Sequence, residues 1–176
     1  TFHIRRNGPG CTSISNWTGD VFRDITPPSI PVVSIVTVDT SATGAGLATL
    51  HWFPSPEADT DGYIIIYDAP GGAVIIDTVW GASTSSYEWS ESMAGAGPES
   101  YSVVAFDTCR TGVPPSPNTS AAQPFHTSVF LDHVYDECAG TVALSWTPYA
   151  GWPVQGYTLY TQIDGGAWTY TALIAP

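Results

Sequence analysis

Lysine is absent from the chain, whose basic residues are Arg5, Arg6, Arg23 and Arg110, set against 16 acidic residues for a formal net charge of −12. Nucleic acid as a partner is excluded, because no basic groove can be assembled, and an anionic membrane surface would repel the chain. Charged residues make up only 11% of the sequence, less than half of the roughly 25% usual in soluble domains, so solubility must rest on Thr and Ser hydroxyls. Helix-favouring stretches are equally scarce: there is 1 Met, and few runs of Leu, Glu or Ala escape one of the 17 Gly or 15 Pro. No run of about 18 apolar residues could cross a bilayer as a helix, and membrane insertion is not expected. Thr1-Phe2-His3-Ile4 lacks the charged-then-apolar pattern of a signal peptide, as in a segment cut from something longer.

Chemistry-bearing motifs are also missing. Cys11, Cys109 and Cys138 show no CxxC spacing, which argues against a thiolate metal site. No Gly-x-Ser-x-Gly elbow, His-Glu-x-x-His or glycine-rich phosphate loop occurs, and His3, His51, His126 and His133 fall at unrelated positions, His51 pointing outward beside Trp52. The expectation is a non-catalytic protein with no catalytic residue, cofactor or metal.

What is present is a repeat. Leu50-His51-Trp52 is followed by Gly62-Tyr63 and then Gly71-Gly72; Leu144-Ser145-Trp146 is followed by Gly156-Tyr157 and Gly165-Gly166, every position displaced by 94 residues. That period is one small domain, too long for a solenoid unit. Alternation in 47–53 puts Leu50 and Trp52 on one face of a strand. Segment 62–68 is apolar on both faces, and 73–79 follows a Gly-Gly turn as the second arm of a hairpin. With 32–38, 85–90, 100–107 and a last strand within 118–123, the pattern predicts seven short strands and an all-β sandwich. Trp52, Tyr63, Trp146 and Tyr157 are the expected core anchors of two equivalent interiors.

The Thr26-Pro27-Pro28 lead-in, Trp52 on the second strand, Gly62-Tyr63-x-Ile65-x-Tyr67 on the third and Tyr101-x-Val103-x-Ala105 late in the unit together resemble a fibronectin type III domain. Residues 27–124 match a complete domain and 125–176 the first four strands of a following one. Asp24-Ile25-Thr26-Pro27-Pro28, Ala105-Phe106-Asp107-Thr108-Cys109 and Tyr135-Asp136-Glu137-Cys138 are similar to repeats of large secreted surface and gliding-associated proteins of Bacteroidota. Aligning Cys11 with Cys109 makes 1–26 the last strands of a preceding sandwich. Either the chain is a window of a tandem array, or the tail half-sandwich of one copy is completed by the head strands of the next, as in strand complementation.

The resemblance implies an extracellular or cell-surface location and a structural role, in an adhesin or filament whose partners are neighbouring repeats or copies of itself. A carbohydrate-binding accessory module of a secreted enzyme is the alternative, with Trp80, Trp89, Trp152 and Trp168 at loop edges or outer faces as candidate glycan contacts. An oxidising location also implies a Cys109–Cys138 disulfide, of roughly 3–4 kcal/mol on the loop-entropy model. Strand order opposes it: in a straight rod the two cysteines stand about two domain lengths apart, so the bond requires sandwiches folded side by side. Cys11 is left without a partner, since Gly44 stands where Cys138 would fall. Asp59-Thr60-Asp61-Gly62 begins like a calcium loop, but Pro70 occupies the place of the closing Glu and the second unit has Pro153-Val154-Gln155-Gly156 there. A polar bend before a strand is the favoured reading; a loose two-carboxylate site helped by Glu57 is the other.

Overall fold

A computed structural model describes residues 1–19, 24–39, 46–111 and 116–176; Arg23, Gly44, Pro114 and Pro115 lie outside them. The molecule is all-β, without a helix among the described residues. It opens on a hairpin, β1 (Arg5–Gly8) and β2 (Cys11–Ile14), in antiparallel register and extended by a Phe2–Thr18 bridge. Next come β3 (Val32–Asp39), β4 (Gly46–Phe53), β5 (Gly62–Ala69), β6 (Gly72–Trp80), β7 (Ser86–Ser92), β8 (Ser100–Thr111), β9 (Ser116–Thr119) and β10 (His126–Thr127). Strands β3-β4-β7 form one sheet; β6-β5-β8 form the other, with β9 and β10 both pairing along the far edge of β8.

The two sheets share one core. Val33, Val36, Leu50 and Trp52 of the first meet Tyr63, Ile65, Tyr101 and Val103 of the second, all buried. The alternation read in 47–53 is the cause, since Ala48, Leu50 and Trp52 lie on one face of the pleat while His51 and Phe53 face water. Each buried Leu or Ile contributes about 1.5–3 kcal/mol relative to exposure. Strand β8 is buried on both faces from Tyr101 to Asp107, and on its outer side the Ser102 hydroxyl donates to the Gln123 carbonyl at 2.5 Å. Pairing with β8 carries this sandwich to Thr127, beyond the 124 expected.

Downstream lie two more hairpins, β11 (Leu131–Asp136) with β12 (Thr141–Trp146) and β13 (Tyr157–Thr161) with β14 (Thr169–Ile174). Their contacts repeat those of the complete sandwich at the same displacement of 94. The Trp52–Tyr63 ring contact at 5.3 Å recurs as Trp146–Tyr157 at 5.7 Å. The Ser55 amide donates to the Tyr63 hydroxyl at 3.1 Å, and the Tyr149 amide to the Tyr157 hydroxyl at 3.0 Å. A register shift between Ile65 and Ile66 has its counterpart between Leu159 and Tyr160. The repeated glycine has a reason as well. A Cβ on Gly62 would stand 2.2 Å from the Val79 carbonyl oxygen, and one on Gly156 would stand 3.0 Å from that of Ile174.

The two units differ in what covers them. Val142 and Leu144, equivalent to the fully buried Ala48 and Leu50, are 54% and 37% exposed. Trp146 and Tyr157 are half-buried rather than enclosed, because 125–176 contains no counterparts of β7, β8 and β10. One sequence alignment is also revised. Cys11 opens β2 directly after the Gly8-Pro9-Gly10 turn, whereas Cys109 lies inside the unbroken β8, so the two are not equivalent positions.

Candidate functional site

The most heavily built polar site is the junction after β10. Its foundation is Glu99, buried just before β8. The Glu99 carboxylate accepts from the Ser92 hydroxyl, the Met93 amide and the Tyr101 hydroxyl, each at 2.6 Å. Burial and then the Glu99 charge push the Tyr101 phenol far above its ordinary value, so it stays a donor. The Glu99 main chain exchanges hydrogen bonds with Ser128: its carbonyl accepts from the Ser128 amide at 2.8 Å, and its amide donates to the Ser128 hydroxyl at 3.0 Å. The link at 126–128 is therefore held to the first sandwich as firmly as a strand.

The following unit is then tied to that link. Thr127 and Ala150 bridge with amide-to-carbonyl distances of 2.8 and 3.3 Å. The His126 imidazole is buried, with Nδ1 at 2.7 Å from the Tyr149 hydroxyl, and burial lowers its pKa, which keeps it neutral. Tyr149 packs on the core cluster of the first sandwich. Trp152, in ring contact with Tyr149 at 4.7 Å, donates from Nε1 to the Ser34 carbonyl at 3.0 Å. That carbonyl is accessible because the β3–β4 ladder shifts register between Val33 and Ile35, leaving Ser34 out of the pairing. The arrangement has no nucleophile–base pair; what it does is lock two units together.

Asp59 and Asp61, singled out as a calcium-like run, have separate duties. Asp61 makes the bend: its amide donates to the Phe106 carbonyl at 2.9 Å, its carbonyl accepts from Gly81 at 2.7 Å, and its carboxylate accepts from the Thr108 amide at 2.6 Å. Asp59 instead meets Asp24, with which it shares a carboxyl–carboxyl hydrogen bond. Glu57 turns away from both. Its carboxylate accepts from the Ser29 amide at 3.0 Å, from the Ser29 hydroxyl, and from the Ser55 hydroxyl at 2.5 Å. Those donors, Ser29 foremost, hold its pKa at about 2 against an ordinary 4.5. A carboxylate whose folded pKa is depressed stabilises the fold above its unfolded pKa, and the contribution is lost as pH falls through the folded value. Glu57→Gln is accordingly expected to flatten the melting-temperature profile between pH 4.5 and 2, measured by thermal unfolding across that range.

Cys109 and Cys138 are both free thiols, one half-buried near the end of β8 and the other exposed in the β11–β12 turn. The anticipated disulfide is therefore not formed. The following unit attaches beside Ser100 and Tyr101, about 30 Å of strand away from Cys109 at ~3.3 Å per residue. Two of the tryptophans considered as sugar platforms are engaged within the fold. Trp89 pairs opposite Ala48 and packs on the core, in ring contact with Tyr67 and Tyr101, and Trp152 serves the junction. Trp80 and Trp168 are exposed, and no two described Trp rings touch. His51 is exposed beside Trp52, whereas His126 and Glu99, which build the junction, carried no sequence signal beyond their identity.

No family model, curated protein or solved structure matches the chain.

Proposed function

We propose that this chain is a non-catalytic structural repeat segment of a secreted or surface-displayed adhesin or extracellular filament. The bonded junction carries the reading. A link that pairs with β8, exchanges hydrogen bonds with Glu99 and is clamped by Tyr149 and Trp152 transmits load and orientation rather than acting as a free tether. The strand order, three strands facing a sheet in which the sixth strand of the unit is central, supports a fibronectin type III-like module, as do the repeated Trp–Tyr contacts. The partners in this reading are neighbouring repeats or other copies, and the charge of −12 opposes nucleic acid.

The open face of 125–176 is the surface through which copies would join. Val142 and Leu144 are exposed on it, and Leu131, Trp146, Tyr157 and Ile174 line a cleft of about 130 Å³ between the two hairpins. In the complete sandwich the equivalent face is closed by further strands of the same module, which is the kind of occupant it fits. Glycan binding draws less support, since Trp89 packs on the core and Trp152 is committed to contacts with Ser34 and Tyr149.

Small-angle scattering of the 176-residue chain tests the reading. A rigid particle is expected, with Trp152→Ala broadening the distribution of interunit distances. A wild-type chain already as broad as the variant would overturn it.

A further inference from the structure

The outer face of the β6-β5-β8 sheet carries an aromatic pair over a glycine. Gly62 of β5 stands opposite Trp80 of β6 on one side and Phe106 of β8 on the other. Residues directly across a ladder share a face, so both rings project from the side of the sheet away from the core. The missing side chain makes room for them: a Cβ on Gly62 would stand 2.9 Å from the Phe106 ring. The Trp80 indole meets that ring edge-on, with centroids 5.0 Å apart and planes at 88°. Phe106 is buried, while Trp80 remains 65% exposed. Beyond Phe106 the β8–β9 ladder shifts register before Arg110, which leaves Thr108 outside the pairing. A groove of about 540 Å³ lies here, with Trp80, Phe106 and Ile64 as its apolar wall and the hydroxyl-bearing Thr78, Thr108, Ser116 and Thr119 around it. Those four residues are all exposed, and among the described residues that line the groove none is charged.

We infer that this groove binds a neutral saccharide, with the Trp80 indole as the platform on which a sugar ring stacks. A sugar ring presents an apolar face of C–H groups and a rim of hydroxyls that both donate and accept. An exposed indole face covers the first. Ser and Thr hydroxyls, which also donate and accept, match the second in either sense. The groove falls within the roughly 300–1,000 Å³ of small-molecule sites. A neutral sugar is selected because the described lining offers no cation to hold a carboxylate or sulfate, and the chain's charge of −12 repels one. Phe106 holds the indole in place before any ligand arrives, so little side-chain freedom is lost on binding. Trp80 has none of the duties that occupy Trp89 and Trp152 within the fold. The inference is independent of the structural role proposed above, since it uses one face of a single sandwich.

Native electrophoresis of the full chain through gels containing hydroxyethylcellulose, arabinoxylan, galactomannan or polygalacturonate tests it. Retardation by at least one of the neutral polymers is expected, and none by polygalacturonate. Trp80→Ala should lower the affinity at least about tenfold, and Thr108→Ala, which leaves the indole in place, by a smaller factor. Trp168→Ala removes a similarly exposed indole from the other unit and should leave retardation unchanged. The melting temperature of each variant is measured alongside, so that lost binding is not mistaken for unfolding. Free mobility of the wild type in every neutral polymer, or full retardation of a folded Trp80→Ala or Thr108→Ala variant, would overturn the site. So would a mobility that falls with protein concentration in sugar-free gels and recovers in Trp80→Ala, because a second copy would then fill the groove. None of these readouts depends on the rigidity of the junction, so they succeed or fail separately from the scattering test.

Discussion

Trp52→Ala is expected to destabilise the complete sandwich by about 3–5 kcal/mol, while Trp146→Ala at the equivalent repeat position costs about 1 kcal/mol. Trp52 is 2% exposed and enclosed by both sheets, with its ring on Tyr63. Its indole Nε1 has no hydrogen-bond partner, so the whole loss is packing and the cavity left behind. Trp146 makes the matching contact with Tyr157 but has a sheet on one side only. A domain of this size holds about 5–15 kcal/mol in total, and each kcal/mol moves its melting point by roughly 4–8 °C. The first substitution should therefore lower the melting temperature by well over ~10 °C and the second by a few degrees. Hydrogen exchange read at β8 and at β12 separates the two units. Equal losses at the two tryptophans would mean that the second interior is closed in solution, contrary to the open half-sandwich described here.

The second large effect belongs to Gly151. It sits at φ +136°, a region that side chains rarely adopt, and a Cβ there would lie 2.3 Å from His126 Nδ1. The imidazole has nowhere to go, being buried and held by the Tyr149 hydroxyl. Gly151→Ala should cost about 1–3 kcal/mol in backbone strain and a similar amount, about 1–3 kcal/mol, in overpacking, which exceeds what the junction can absorb. The Thr127 and Ala150 amides, paired across the junction, are expected to lose their exchange protection while Leu50 and Val103 keep theirs. The sign of the pH dependence follows from His126. Its folded pKa lies below the ordinary 6.5, so junction stability is fully present above that pH and is lost as pH falls through the lower, folded value. In Gly151→Ala this acid sensitivity should disappear. A variant that retains both exchange protection and pH response would show that the Gly151 contact does not hold the units together.

Much of the fold was legible from local chemistry. The alternation in 47–53, the Gly71-Gly72 turn and the twin Trp and Gly-Tyr positions placed β4, β5 and β6 within a residue of their observed bounds. Those signals are legible because pleat and turn conformation depend on neighbours in sequence. The last strands were less so: β8 runs on to Thr111, the strand expected in 118–123 overlaps β9 only as far as Thr119, and β10 at His126–Thr127, on the same edge of β8, was not anticipated. Trp89 was misjudged as an outer residue because its face is decided by register against Ala48, and a displacement of one residue would have turned it out. The cysteine alignment failed for a comparable reason, since the spacing of Cys11 and Cys109 says nothing about whether a turn or a strand lies just before each.

The candidate sites were mostly illegible. Asp59 and Asp61 drew attention as a run, yet the group that does most to raise the Asp59 pKa, the Asp24 carboxyl, comes from a segment far away in the chain. Glu99 and His126 are ordinary residues until folding removes them from water, and only then do their hydrogen bonds become structural necessities. By itself, the order of amino acids determined the class of fold, the period of the repeat and the faces its strands would bury, all consequences of nearest-neighbour stereochemistry and the drive to exclude apolar surface from water. Only the tertiary structure decided that the units are locked rather than tethered, that Glu99 and His126 are buried at their junction, and that Trp89 packs inward. Those outcomes depend on distances between residues remote in sequence, which pairing and packing alone set.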